Sequence, residues 1–168
     1  MILGLDISTS STGWCVLTTE GKLVDIGYIP LNKLDCLFSK ADVISKFVSE
    51  TNLLQDITHI FIEENLQAFR PGLSSAKTLI TLARFNGIVS YVCKKEFGLL
   101  PVYLNVNSAR KSLGIKMIRG KKAEKSTKEQ VLDWVDSELD NYQWPNKTLK
   151  SGPRKGTVVL ESGCYDMA

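Results

Sequence analysis

The sequence has few of the residues from which zinc sites and disulfide frameworks are built. It contains a single histidine, His59, and four cysteines without any C-x-x-C pair. Structural zinc sites need clustered Cys or His ligands, and disulfide frameworks need cysteines in an oxidising compartment. We therefore expect neither feature, and we interpret the cysteines as reduced structural residues. They are Cys15, Cys36, Cys93 and Cys164.

Long apolar runs are also missing. No stretch approaches the roughly 20 apolar residues that cross a bilayer. The first apolar run, Ile2 to Leu5, is interrupted by Asp6 and lacks the preceding basic segment of a secretory signal. A chain of 168 residues is typical of one domain with its own core. We expect a single domain, 1–168, in the cytoplasm and without membrane contact.

Positive charge is scarce in the first part of the chain and abundant afterwards. Residues 1–69 hold 4 Lys or Arg against 9 Asp or Glu, whereas residues 70–156 hold 17 against 7. The segment 107–128 has eight bases and one acid, which suits a phosphate backbone, although a solvated lysine-rich loop would look the same. The bases that we expect to bind DNA are Arg70, Arg110, Lys111, Lys116, Arg119, Lys121, Lys122, Lys125 and Lys128.

Hydrophobic periodicity predicts the element order β-β-β-α-β-α-β-α-α. Three strands joined by short connections form an antiparallel meander, and the later strands alternate with helices. This order is that of an α/β, RNase H-like fold, with a five-stranded mixed sheet flanked by helices. The predicted strands are 2–7, 14–19, 23–29, 57–64 and 100–106, and the main helices are 39–48, 74–96 and 123–139. Residues 145–162 are predicted to be irregular, followed by a final helix capped by Ser162.

The predicted 74–96 helix is more apolar than one sheet face requires, since its polar stripe is narrow. Two interpretations remain open. Either the helix is deeply buried in the core, or it packs on the sheet with one face and on a second subunit with the other.

Two acids fall at the ends of apolar strands. Asp6 ends the first strand and Glu63 ends the fourth, where burial of a carboxylate costs several kcal/mol unless it is paired or holds a metal. Ligand sites gather at such strand ends, and clustered carboxylates favour Mg²⁺ or Mn²⁺. Because side chains alternate along a strand, only one of Glu63 and Glu64 can share the site, and the pattern does not choose. Asp166, in the final helix, is a third candidate.

Four segments together resemble the signature segments of RuvC-type Holliday junction resolvases, including their phage relatives. They are Ile2–Ser8, Phe61–Glu64, Ala123–Ser126 and Tyr165–Ala168. The resemblance implies an RNase H-like nuclease that cuts four-way DNA junctions. It also implies Mg²⁺ as cofactor, with Mn²⁺ as a substitute, and two ions per site as in two-metal hydrolysis. It also implies a homodimer, for which the 74–96 helix supplies a surface.

The resemblance assigns roles residue by residue. Asp6 matches the first catalytic acid, Glu63 the strand-end acid, and Asp166 the first acid of a C-terminal pair. Lys125 matches the basic residue near the scissile phosphate, with Lys121 and Lys122 as substitutes. The three acids would hold the metal ions.

The sequence departs from the family pattern at three places, one of which is the segment 145–162, longer than the family norm. The second acid of the C-terminal pair would fall just after Ala168, where the sequence ends. The family often has an aromatic wedge soon after the strand-end Glu, whereas Leu66 stands at that position here and Phe69 follows three residues later. Either residue is a candidate junction wedge.

Three other functions compete with junction cleavage. An actin-like sugar kinase or ATPase also begins with a strand, an Asp and a Ser/Thr/Gly turn, but it needs a second such domain and a second phosphate loop, so we expect no nucleotide cofactor. A non-catalytic junction-binding module could retain the fold. Another RNase H-like nuclease could act on hybrid, flap or branched DNA, because this fold serves many substrates.

Overall fold

A five-stranded sheet forms the centre of the computed structural model, which describes residues 1–54, 56–64, 75–139 and 142–167, apart from the side chains of Asn52 and Lys121. The order across the sheet is β3-β2-β1-β4-β5. The strands are β1 (Ile2–Ile7), β2 (Ser11–Leu17), β3 (Leu23–Pro30), β4 (His59–Glu63) and β5 (Val102–Leu104).

The sheet is mixed, as the sequence predicted. Strands β1, β2 and β3 are antiparallel neighbours, since short turns join them. Strands β4 and β5 are each added in parallel, and each is reached through a helical connection. The predicted fold class is therefore confirmed.

Five α-helices accompany the sheet within the described residues: α1 (Leu37–Glu50), α2 (Ala76–Phe97), α3 (Val106–Ser112), α4 (Thr127–Glu138) and α5 (Cys164–Met167). Helix α4 begins four residues later than predicted because Ser126 and Glu129 form a capping box. Helix α2 starts after the cap Ser75 and ends at Gly98, which adopts a left-handed conformation. None of the described helices is long and apolar enough to cross a membrane.

The main core lies between one face of the sheet and helices α1 and α2. Leu3, Leu5 and Ile7 of β1 all face it, together with Ile44 of α1 and Phe85 of α2. Because side chains alternate along a strand, Asp6 is directed to the opposite face of β1. The core thus determines which face carries the candidate site.

Helix α2 is not fully buried. Its inner side includes Phe85, Val89 and Cys93, all inaccessible to solvent, but Ile80 and Tyr91 are 53% and 69% exposed. Of the two interpretations left open by the sequence, the deeply buried helix is therefore excluded, and an apolar outer surface remains.

Residues 145–162 are not irregular, contrary to the sequence prediction. They contain a separate antiparallel pair, β6 (Asn146–Thr148) and β7 (Val158–Leu160). Gly152 and Gly156, at φ +81° and +86°, allow the chain to reverse between the strands. The Pro and Gly residues that suggested irregular structure form the hairpin loop instead.

Candidate active site

Asp6 and Glu63 lie at neighbouring positions on parallel strands. Leu5 of β1 is in register with Ile62 of β4, so the next residue of each strand is an acid. Both acids therefore stand at the C-terminal end of the sheet, as predicted from the strand pattern. The charge of Glu63 raises the pKa of the Asp6 carboxyl, as expected for carboxylates at neighbouring strand positions.

Asp166 reaches the same place because α5 lies directly on β2. Gly13 of β2 pairs with Asp6, and a methyl group added at Gly13 would lie 1.5 Å from the carbonyl oxygen of Asp166. A methyl group added at Gly163, just before α5, would meet the ring of Tyr28 at 2.4 Å. Because neither glycine has a side chain, α5 can approach β2 and β3 closely enough to bring Asp166 to the site.

The Asp166 carboxylate has two partners from distant parts of the chain. The Ser11 hydroxyl donates a hydrogen bond to Oδ2, and the Lys128 ammonium lies 2.6 Å from Oδ1. The Asp166 side chain is only 13% exposed, so these contacts compensate for its lost hydration. The contacts tie α5 to β2 and to α4.

Crowding of acids perturbs the two strand-end carboxyl groups. Burial, followed by the charges of Glu63 and Asp166, raises the pKa of Asp6 to about 7, while Lys128 and Arg110 act against that rise. Burial also raises the pKa of Glu63, again opposed by Arg110 and Lys128. The site therefore concentrates more negative charge than its two cations neutralise.

Lys128 remains a cation in this environment. Burial alone would lower the pKa of its ammonium group, but the hydrogen bond and charge of Asp166 outweigh that effect, with Asp6 and Glu63 contributing in the same direction. The net shift of the Lys128 pKa is upward. A positive charge is thus held beside all three acids.

A cavity of about 540 Å³ opens over these groups. Its charged lining includes the three acids, Glu64, Arg110 and Lys128. Its apolar wall comes from α2, α3, α4 and the segment between α3 and α4, and includes Leu79, Leu82, Leu113, Ile115, Val131 and Trp134. A charged floor beneath an open mouth suits a phosphate group with its counter-ions.

The acids provide oxygen ligands only, which is the donor chemistry that Mg²⁺ and Mn²⁺ prefer. Within the part of the chain that the structure describes, however, no three His, Cys, Asp or Glu side chains are arranged so that they could hold a metal ion. Asp166 is directed to Ser11 and Lys128 instead. The donor types fit a hard cation, and its binding would require the Asp166 carboxylate to exchange a partner.

Lys125, the basic residue predicted to lie near the scissile phosphate, is placed elsewhere. Its ammonium forms an exposed ion pair with Asp133, at 2.6 Å, and it is not among the residues that line the cavity. The lysine beside the acids is Lys128, which the sequence assigned only to the DNA backbone. Lys128 rather than Lys125 lies beside the acids because the capped helix α4 starts at Thr127 and directs Lys128 toward α5.

The other predicted residues are distributed as follows. Glu64 also reaches the cavity, where it accepts a hydrogen bond from Asn105 at 3.3 Å. Arg110 lines the cavity, whereas the remaining described bases of the 107–128 segment are exposed: Lys111, Lys116, Arg119 and Lys122. Arg70, the candidate wedges Leu66 and Phe69, and the side chain of Lys121 lie outside the described residues.

Sequence reasoning missed the residues that support the acids. Lys40 is 8% exposed and donates to the carbonyl of Thr9, in the connection between β1 and β2. Ser11 lies outside the predicted second strand, 14–19, although it begins β2 and donates a hydrogen bond to Asp166. No local pattern identifies such residues, because their partners lie 31 and 155 positions away.

Comparisons with known proteins give the following relatives. The chain is 30% identical over 135 residues to the crossover junction endodeoxyribonuclease RuvC of Aliarcobacter butzleri (strain RM4018), covering 77% of each chain. No family model matches it.

Solved structures of the same kind share its fold. A T. thermophilus RuvC in complex with Holliday junction substrate superimposes with a TM-score of 0.61 at 16% identity, covering 99% of this chain and 86% of that one. A second Thermus thermophilus RuvC structure gives 0.58 at 19%, with coverage of 99% and 87%. The yeast mitochondrial Holliday junction resolvase Ydc2 gives 0.52 at 17%, with coverage of 99% and 72%.

Proposed function

The chain belongs to the RuvC family of crossover junction endodeoxyribonucleases, and from that premise we propose that it resolves four-way DNA junctions by metal-dependent hydrolysis of paired phosphodiester bonds. One observation carries the proposal: Asp6, Glu63 and Asp166 line a single cavity although they come from two strands and a closing helix. The proposal treats residues 1–168 as one nuclease domain.

Asp6, Glu63 and Asp166 are the residues that would hold the metal, with Mg²⁺ as the physiological ion, Mn²⁺ as a substitute, and two ions per site. When bound, the metal supplies an activated water and stabilises the leaving oxygen. The clustering of oxygen donors at one end of the sheet supports this assignment. The Asp166 carboxylate, which accepts from Ser11 and pairs with Lys128, would exchange one of these partners for the metal.

Lys128 takes the role that the sequence resemblance gave to Lys125. Its ammonium lies at the cavity, where it can neutralise charge that develops on the scissile phosphate. Arg110 of α3 lines the same cavity and acts electrostatically on Asp6 and Glu63. Together the two cations reduce the repulsion that three carboxylates would exert on an incoming phosphate. The exposed bases of the 107–128 segment extend this positive surface along the DNA.

The functional unit is a homodimer formed through the outer face of α2. Ile80 and Tyr91 of α2 are exposed, and Phe38 of α1, 68% exposed, lines a groove with Tyr91. Apolar side chains of this size favour a protein partner over water. The partner is a second copy, because a four-way junction has near two-fold symmetry and two strands must be cut.

The decisive experiment compares wild type with Asp6→Asn on a synthetic four-way junction, a linear duplex, a flap and an RNA–DNA hybrid, each with Mg²⁺. We expect paired nicks in the junction from wild type, and junction binding without cleavage from the variant. Unchanged cleavage by Asp6→Asn would overturn the assignment of the site. Preferential cleavage of the flap or hybrid would overturn the substrate, and binding without any cleavage by wild type would favour a non-catalytic module.

A further inference from the structure

The β6–β7 hairpin carries a dense and unassigned positive charge. Residues 145–160 contain four bases and no acid, and all four bases are exposed. They are Lys147 in β6 and Lys150, Arg154 and Lys155 in the loop. The expected DNA contacts of the sequence end at Lys128, so this group extends beyond them.

None of these four bases has an ion-pair partner among the described residues. Other lysines of the C-terminal half are neutralised within the fold, such as Lys125 by Asp133 and Lys128 by Asp166. Unpaired charge at this density is unfavourable by self-repulsion and is relieved when an anionic partner binds. The hairpin therefore presents an available cationic surface.

The hairpin is an ordered arm, because its hydrogen-bond ladder continues past the two short strands. Leu149 N donates to Thr157 O at 3.0 Å, and Gly156 N donates to Leu149 O at 2.9 Å. Lys155 N donates to Gly152 O at 3.0 Å and closes a turn at the tip. The charges are thus held in place before binding, which lowers the entropic cost of contact.

The base of the hairpin is fixed beside the candidate active site. The Pro145 carbonyl accepts hydrogen bonds from Glu161 N at 3.0 Å and from the Cys164 thiol at 3.2 Å. Trp144 Nε1 donates to Asp136 of α4 at 2.7 Å. Since Cys164 opens the helix that carries Asp166, the arm and the catalytic acid share one support.

We propose that the β6–β7 hairpin is a second DNA contact that binds the phosphate backbone of a junction arm flanking the cleavage site. Strands rise about 3.3 Å per residue, so the tip extends on the order of 17 Å beyond Leu160. That length is comparable with about five base pairs of duplex. The identification of the anion as DNA rests on the proposed function.

The test removes the four charges without shortening the hairpin. The variant Lys147→Gln/Lys150→Gln/Arg154→Gln/Lys155→Gln is compared with a matched control, Lys22→Gln/Lys33→Gln/Lys46→Gln/Lys94→Gln. The control residues lie in the β2–β3 turn, after β3, and on α1 and α2, and none of them lines the cavity or the groove between α1 and α2. Each variant changes the formal charge from +3 to −1, because four positive charges are lost.

Junction binding is measured without divalent metal over a range of salt concentrations. In a plot of log affinity against log salt concentration, each phosphate contact contributes about −0.9 to the slope. The slope of the hairpin variant should therefore be less steep than that of wild type by about 2 to 4. We expect affinity to fall about 10- to 100-fold near 0.1 M salt, whereas the control stays within about twofold of wild type. Equal slopes for the hairpin variant and the control would overturn the proposal.

Single-turnover cleavage at saturating junction separates this proposal from the proposed function. The hairpin variant should cleave within about threefold of wild type, since the affected contacts lie outside the cavity. If wild type binds DNA but cuts no junction, the proposed function fails while the salt-slope result still tests the arm. If wild type cuts junctions and the slopes are equal, only the arm fails. Thermal unfolding of both variants verifies that the comparison is between folded proteins.

Discussion

The carboxyl group of Asp6 occupies a position in which its charge weakens the fold. Its pKa is raised from 3.8 to about 7, so the folded protein binds this proton more tightly than the unfolded chain does. The folded state is therefore destabilised as pH rises from about 4 to 7, and the penalty is complete above pH 7. We predict that Asp6→Asn raises the free energy of unfolding at pH 8 by on the order of 1–3 kcal/mol in metal-free protein. Urea denaturation of wild type and variant at pH 8 measures this difference in the free energy of unfolding.

The same titration has an internal control. The gain from Asp6→Asn should be smaller at pH 5 than at pH 8, because Asp6 is already protonated in the folded protein at pH 5. The variant Asp35→Asn, at an exposed acid outside the site, is the matched control for removing one carboxyl group. Adding Mg²⁺ should stabilise wild type more than Asp6→Asn, since ligand binding to the folded state raises stability. A variant that is less stable than wild type at both pH values would contradict the prediction.

Two lysines near the start of α4 have different environments and should have different effects. Lys128 contacts Asp166 in the cavity, whereas Lys125 pairs with exposed Asp133. We predict that Lys128→Gln lowers single-turnover cleavage by about 100-fold or more, because a charge beside the reacting phosphate is lost. Lys125→Gln should change the rate by only a few fold. The opposite ranking would restore Lys125 as the base nearest the phosphate.

At the scale of elements, the seating of α5 on β2 decides whether Asp166 reaches the site. We predict that Gly13→Ala moves α5 away, because the added methyl group would overlap the Asp166 carbonyl. Junction cleavage should fall by at least about 100-fold, since small displacements of a catalytic group are costly. The measurement is single-turnover cleavage at saturating junction, together with unfolding by urea.

The variant Gly21→Ala tests whether the loss of cleavage in Gly13→Ala comes only from lower stability. Gly21 lies in the β2–β3 turn with φ +82°, and a methyl group there meets no atom within 4 Å. Gly21→Ala should cost about 1 kcal/mol through backbone strain and leave cleavage intact. Equal loss of cleavage in both variants would show that Gly13 acts only through stability.

At the scale of the whole molecule, the outer face of α2 should determine the oligomeric state. We predict that Tyr91→Glu converts a dimer into a monomer, because a charge would be buried in an apolar interface. Light scattering after size-exclusion chromatography measures the mass. Val24→Glu, at a 41% exposed position on β3, should leave the mass unchanged.

The pattern of strand cutting is an independent test of dimerisation through the outer face of α2. A monomeric variant should still nick one strand, but it should no longer cut both strands of a cruciform plasmid within one encounter. A wild-type protein that is monomeric at all concentrations tested, yet makes paired cuts, would contradict the dimer.

Local periodicity was sufficient to predict the centre of this protein. The alternation along β1 places Leu3, Leu5 and Ile7 in the core and Asp6 on the other face. The element order predicted the mixed sheet, and therefore the neighbouring positions of Asp6 and Glu63 at the ends of β1 and β4. These properties depend on residues close together in the chain or on the direction of neighbouring strands, both of which a sequence encodes directly.

Only the tertiary structure decided which groups surround those two acids. Ser11 and Asp166 are 155 residues apart, and their contact depends on the missing side chain of Gly13. The selection of Lys128 over Lys125 depends on where the capping box starts α4 and on where α5 then lies. The basic hairpin was hidden because its Pro and Gly residues resemble irregular structure until their hydrogen bonds are known. Such contacts arise from packing between distant segments, so the amino-acid pattern within any one segment does not contain them.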